Sequence, residues 1–197
     1  MADIAKSVAS AFDQAWDRFL GRLDGLSDEE YFWEPVPDSW SVRLANDGRW
    51  KIDGGGGGAS AGPAPDPPPI TTIAWRIGHI GLSFIGFGDR LFADGKITLD
   101  DVEFAPSAAS ASAFLDRTYH DYWRDRLGTL SQQHWWSPIG PAFGSYADLT
   151  TTDLALHVLD ELTHHAAEVG VLRDFYRHRD SLGNRPTHPA LGGLSDD

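Results

Sequence analysis

The sequence predicts an all-α fold, a four-helix bundle with a long Gly/Pro-rich loop between its first and second helices. Three observations carry that expectation: four long stretches in which apolar residues recur every three or four positions, no convincing run of alternating strand pattern, and a glycine and proline excursion between the first two stretches. At 197 residues the chain is long enough for one useful core. A single helical domain over 1–180 is expected, with 53–69 as a flexible insertion and 181–197 as a disordered tail.

The first helix is expected over 5–26, because Ile4, Val8, Phe12, Trp16, Phe19, Leu23 and Leu26 follow spacings of four and three. Asp13, Asp17, Arg18, Arg22 and Asp24 mostly take the other side. Ser27-Asp28-Glu29-Glu30 reads as a capping box opening a short helical turn near Trp33. From Trp33 to Ile70 the composition favours loop: Pro35, Pro37, glycines 54–58, and prolines 63, 65 and 67–69 interrupt any period. Within it, Trp40-Ser41-Val42-Arg43 is expected to pack near a pocket mouth, and 53–66 to be a mobile linker.

Pro69 followed by Thr71 and Thr72 gives a stop and an N-cap before a second helix over 73–92. Ile73, Ile77, Ile80, Phe84 and Leu91 form its core stripe, with Trp75, His79 and Leu82 adjoining. Glycines 78, 81, 86 and 88 each weaken helix propensity by up to about 1 kcal/mol, a cost that close approach of another helix can offset. Ser107 caps a third helix over 108–130, with Phe114, Leu115, Thr118, Tyr122 and Leu127 inward and Arg117, Asp121, Arg124 and Asp125 largely outward. After turn chemistry between Ser137 and Ser145, a fourth helix over 151–177 carries Leu154, Val158, Leu162, Val169, Leu172 and Tyr176 alongside a polar face.

Composition narrows the partners. Sixteen basic against 29 acidic residues leave a net charge of −13, which repels nucleic-acid phosphates and anionic lipid, and no local basic patch offsets it. The expected partner is therefore a small-molecule substrate, with neither nucleic acid nor membrane involved. The absence of cysteine removes disulfides, zinc ribbons and a thiol nucleophile from this chain, so a reaction needing a thiol must take it from a second molecule. The beginning of the chain lacks a basic region followed by an apolar core, and no apolar run reaches the ~20 residues of a membrane span. A cytoplasmic location is expected, and the aromatic content is compatible with a homodimer.

The chemistry concentrates on the fourth helix. His157, Glu161, His165 and Glu168 are offset by four, eight and eleven residues and so share one narrow face at about 100° per residue. Imidazoles and carboxylates pointing one way form a candidate metal or acid/base site. Sites in helical bundles are built from inward side chains on facing helices, and His79 on the second helix is suitably placed to complete this one.

Three motifs carry a resemblance. Phe32-Trp33-Glu34-Pro35-Val36-Pro37 with Trp40-Ser41-Val42, then Pro67-Pro68-Pro69-Ile70-Thr71-Thr72-Ile73-Ala74-Trp75-Arg76-Ile77-Gly78-His79-Ile80, and finally Asp160-Glu161-Leu162-Thr163-His164-His165-Ala166-Ala167-Glu168-Val169-Gly170-Val171-Leu172-Arg173-Asp174 resemble the DinB superfamily. The likeness is strongest to its actinobacterial, mycothiol-dependent branch. It implies a four-helix bundle of DinB type with a divalent metal held by one His of the second helix and two ligands one turn apart on the fourth. His79 matches the first ligand and His165 the last. The middle position is usually His, and Glu161 stands there instead. Two histidines and one carboxylate remain an acceptable set for Zn, Ni, Fe or Mn.

The other candidates surround those three. His164 is the alternative ligand to His165, and His157, one turn before Glu161, is an alternative ligand or a partner that fixes it. Glu168, Arg173 and Asp174 read as ion-pair formers. Trp33, Trp40 and Trp75 are candidate pocket walls, and Arg76 a candidate for holding a substrate carboxylate. The resulting expectation is a metal-dependent enzyme that activates a small thiol, such as mycothiol, or water for transfer, isomerisation or hydrolysis of a small electrophile. The competing expectation is a non-catalytic binding or stress-associated bundle in which the same His/Glu cluster is structural.

Overall fold

The computed structural model describes residues 3–57 and 65–182, and its architecture is all-α with one very small sheet. Helix α1 runs Ile4–Leu23, capped by the Asp3 side chain at the Lys6 amide. Its inward face holds Val8, Phe12, Ala15, Trp16, Phe19 and Leu23, the stripe that the sequence spacing predicts. Large side chains of this kind contribute about 1.5–3 kcal/mol each when fully buried. The helix stops three residues short of the expected end because Asp24 leaves the helical region and Gly25 takes a φ of 69°.

A short helix α2, Asp28–Tyr31, follows with Ser27 as its cap, its hydroxyl accepting from the Glu30 amide at 3.2 Å. Glu30 does not reach back to complete the expected capping box. Its carboxylate turns inward to a buried arginine near the chain's other end. The excursion that follows contains a hairpin that the sequence pattern hides: β1, Val42–Leu44, pairs antiparallel with β2, Trp50–Ile52, Val42 opposite Ile52. Strands of three residues are too short to show a period.

Helix α3, Ile73–Phe92, is capped by Thr72, whose hydroxyl accepts from the Trp75 amide. Three of its glycines mark close approaches. A Cβ at Gly78 would lie 3.0 Å from Ile52 and 3.4 Å from Val42, so the hairpin sits directly on the helix. At Gly81 it would meet the Phe114 ring at 2.2 Å, and at Gly88 the Tyr122 carbonyl oxygen at 2.2 Å. Gly86 faces open space. The close approach of another helix expected for the glycine-rich second helix is therefore found at Gly81 and Gly88, while Gly78 is approached by the hairpin instead.

The third helical stretch changes character midway: α4, Ala108–Arg117, passes into a π-helical segment, Thr118–Arg124, and then into α5, Asp125–Leu127. Leu115, Tyr119, Trp123 and Leu127 are buried at four-residue intervals, a spacing that the wider turn keeps on one line. A regular 3.6-residue helix would instead bring Tyr122 inward, as the sequence predicts, but Tyr122 is only partly buried. Arg124, expected outward, forks onto Asp13 of α1 at 2.6 and 2.8 Å.

Helix α6, Thr151–Arg177, starts at a capping box in which Thr150 and Asp153 satisfy one another's backbone amides. It packs against α1 and α3, while α3 also packs against α4 and the π segment. At its far end Arg173 is 2% exposed and forks onto Glu30 at 2.7 and 3.0 Å, while also donating to the carbonyls of Arg22 and Asp24. Asp174 pairs with Arg22 at 2.8 Å. The ion-pair role expected of Arg173 and Asp174 is thus what the fold gives them.

Of the segment expected as a flexible insertion over 53–69, residues 58–64 lie outside the described part, as does the tail from 183 onward. Its first five residues form a left-handed turn, Asp53–Gly57, packed on Trp40, Leu82 and Trp75. No helix among the described residues is long and apolar enough to cross a membrane.

Candidate metal centre

Helices α3 and α6 face one another where His79 meets Glu161 and His165. His79 Nε2 lies 3.2 Å from Glu161 Oε2, and His165 Nε2 lies 3.3 Å from the same oxygen. One atom from each residue falls within 4.8 Å of the other two. The imidazoles meet edge to face, with ring centroids 4.4 Å apart and planes at 82°. His165 is buried, while His79 and Glu161 are partly exposed, so the group closes toward the core and opens on one side.

The other ring nitrogens decide what Nε2 can do. His79 Nδ1 contacts the Gly56 carbonyl at 2.6 Å, and His165 Nδ1 contacts Glu168 Oε2 at 2.6 Å. A carbonyl and a carboxylate only accept, so both Nδ1 atoms are assigned the proton and donate. Neutral rings in that tautomer turn two Nε2 lone pairs toward a carboxylate oxygen. Three acceptors facing one another require a cation among them, either protons on the imidazoles or a metal ion.

The donor set fits a metal. Two nitrogen or oxygen ligands at about 2.0–2.1 Å from a tetrahedral ion are separated by about 3.3–3.4 Å, close to the observed 3.2 and 3.3 Å. Imidazoles whose distal nitrogens donate to a carbonyl or a carboxylate are the usual outer support of such ligands. Two nitrogens and one carboxylate suit Zn, Ni, Fe or Mn.

Charge follows the same arrangement. When protons rather than a metal ion fill the group, both Nε2 atoms carry one, and His165 and His79 then hold the Glu161 carboxyl far below the usual carboxylate range. Burial pushes the His165 pKa down, but its hydrogen bonds to Glu161 and Glu168 outweigh that, and the net direction is up. Burial pushes Glu168 up, yet the His165 hydrogen bond and the nearby Arg76 charge bring it below its ordinary value. Both carboxylates are therefore ionised at neutral pH.

Arg76 supplies the compensating positive charge. Its Nε is 3.0 Å from Glu168 Oε2, off the line of a hydrogen bond, so the contact is an ion pair. Its Nη1 is 3.2 Å from His165 Nδ1, a contact between two donors once Nδ1–H is directed at the nearer Glu168 oxygen, and its guanidinium lies over the Trp75 ring, 5.0 Å from the centroid. Burial lowers the Arg76 pKa, with Glu168 opposing. The arginine considered for a substrate carboxylate is thus already engaged with a carboxylate of the protein.

Trp75 lies parallel to His79, centroids 5.1 Å apart, and donates its indole N–H to the Asp53 carbonyl at 2.9 Å. Trp40 packs near Trp75, 6.1 Å between centroids, and beneath the glycine turn. His164 is exposed, stacks on His165 at 4.4 Å and approaches Glu168 at 3.5 Å, where His164, His165 and Glu168 make a second group of possible ligands. His157 is exposed and sits edge-on to Phe87, 5.3 Å between centroids; it belongs to neither group. Gly56 and Asp53 carry no signal in the sequence for these roles. A carbonyl acceptor has no side-chain signature, and a run of glycines reads first as a linker.

A helical bundle with a His–Glu–His group between two of its helices defines the class to which this chain conforms. The family model for the DinB superfamily matches residues 11–45 and 47–169, and the chain belongs to that superfamily. No curated protein and no solved structure matches it.

Proposed function

We propose that this DinB-superfamily protein is a metal-dependent enzyme that activates a small thiol or water for transfer to, or isomerisation or hydrolysis of, a small electrophile. The observation that carries the reading is the convergence of two Nε2 lone pairs and Glu161 Oε2, with both Nδ1 atoms tied to acceptors. A divalent metal held by His79, Glu161 and His165 would act as a Lewis acid and lower the pKa of a thiol or water at a remaining position.

The residues around those three supply binding and orientation. Glu168 and the Gly56 carbonyl keep the two rings from rotating, and Arg76 balances the second carboxylate. Trp75, stacked on His79, gives one side of the site an apolar wall that suits the hydrocarbon part of a small electrophile, with Trp40 packed behind it. Because the chain has no cysteine, a thiol reaction here uses an exogenous one, with mycothiol the low-molecular-weight thiol that fits the family branch.

Thiol consumption by the metal-loaded protein against a panel of small electrophiles tests this. We expect turnover that chelation abolishes, that added metal restores, and that His165→Ala lacks. Equal consumption with and without chelator sinks the enzymatic reading. One observation favours a second reading, in which the cluster is purely structural: 3.2 Å between His79 Nε2 and Glu161 Oε2 is also a hydrogen-bond length, and with His165 3.3 Å away as an ion-pair partner, protonated imidazoles close the group without an ion. That reading predicts that His165→Ala lowers stability and changes no metal-dependent chemistry.

A further inference from the structure

We propose that the left-handed glycine turn Asp53–Gly57 is the positioning device for His79, its Gly56 carbonyl holding Nδ1–H so that Nε2 is the atom offered beside Glu161 and His165. The hydrogen bond rests on geometry alone, and its consequence for ligand binding rests on the metal reading above.

Glycines 54, 55, 56 and 57 have φ of 58, 59, 68 and 73° in succession, a path that L side chains rarely follow. At Gly54 a contact requires glycine as well as the backbone, whereas at Gly56 the backbone is the main constraint because the neighbouring leucine methyl can shift. A Cβ at Gly54 would lie 2.2 Å from the Trp40 ring, and one at Gly56 would lie 2.6 Å from a Leu82 methyl. A run of residues that composition alone assigns to a linker is thus fitted closely to the surface of α3.

The turn is clamped at its start from two sides. Asp53 donates its amide to the Ser41 carbonyl at 2.9 Å, and its carboxylate accepts from the Ser41 amide at 2.9 Å and from Arg43 Nε at 2.8 Å. From the helix side, the Trp75 indole N–H reaches the Asp53 carbonyl at 2.9 Å. The same indole stacks on His79 with planes 5° apart. Stacking fixes the plane of the imidazole, and the Gly56 carbonyl at 2.6 Å fixes its rotation within that plane. Together they select the nitrogen that faces α6. Ligand-supporting hydrogen bonds of this type typically change metal affinity by about 10–100-fold.

The test uses the full chain and zinc, with affinity read by competition against a chromogenic chelator and the hydrogen bond read as the His79 Nδ1–H resonance of the metal-free protein. Gly56→Ala is expected to keep the helical content, lose that resonance, and bind zinc about 10–100-fold more weakly. Trp75→Phe keeps a ring on His79 but removes the tether to Asp53, and should weaken zinc in the same direction by less; it decides the matter if Gly56→Ala does not fold. Gly25→Ala introduces a side chain at a comparable φ, 69°, into open space after α1, and should move neither readout. Wild-type zinc affinity in Gly56→Ala with the resonance retained overturns the proposal, as does an equal loss in Gly25→Ala. If the wild-type protein takes up no zinc, the metal reading fails. The resonance then decides alone: present in wild type and lost in Gly56→Ala, it upholds the positioning role, and any other pattern overturns it.

Discussion

Glu161 occupies a position where its single oxygen serves two imidazoles, and Arg173 occupies one where a single guanidinium serves four oxygen atoms. The second arrangement is the more costly to break. Arg173 and Glu30 side chains are 3% and 5% exposed, so removing the arginine strands an ionised carboxylate away from water. Arg173→Met should lower unfolding stability by about 3–5 kcal/mol in urea titrations, and adding Glu30→Leu should recover part of that loss. A single variant with unchanged stability would contradict the role assigned to this fork.

Asp13 behaves differently because it is half exposed. The Arg124 hydrogen bond holds its pKa below the ordinary value. Its folded-state pKa is thus the lower one, so its contribution is present above the unfolded value of about 3.9 and is lost as pH falls through the folded pKa. Arg124→Ala should therefore flatten the acid side of the stability–pH profile below about pH 4 and leave its slope near neutrality unchanged. The ion-pair role of Arg173 is legible from the sequence, but the partner in neither fork is. Asp13 and Arg124 lie on segments 111 residues apart, Glu30 and Arg173 on segments 143 apart, and charges on helix faces read first as solvated.

Among the elements, α1, α3 and α6 are nearly as their periodicities imply, because each is a regular helix with one face committed to the core. The third stretch is legible as a helix but not in phase, since a π segment moves the inward positions to Tyr119 and Trp123 and no residue type announces it. The hairpin is invisible for lack of length, although the glycine of α3 on which it rests is visible. Gly88 shows how closely α3 and the π segment approach, with the Tyr122 carbonyl 2.2 Å from any Cβ placed there. Gly88→Ala should separate the two and lower the thermal midpoint, at a cost of about 1–3 kcal/mol, whereas Gly86→Ala, facing open space, should be neutral or stabilising. Equal effects from the two would contradict the packing described.

At the scale of the whole molecule, the bundle brings residues 79, 161 and 165 to one point from two helices packed against each other, and the His–Glu–His group depends on that packing. The two α6 members are legible from their spacing of four. His79 is legible only through its motif, since nothing in its local pattern states which helix it faces. The support on Gly56 and Glu168 exists only once α3, α6 and the glycine turn are assembled.

The most direct test of the central claim is elemental analysis of protein purified without an affinity tag, before and after reconstitution with Zn, Ni, Fe or Mn. Our reading predicts about one divalent ion per chain, lost together in His79→Ala, Glu161→Ala and His165→Ala while His157→Ala retains it. Substoichiometric metal that none of the four ions restores would contradict it and leave the cluster a structural one.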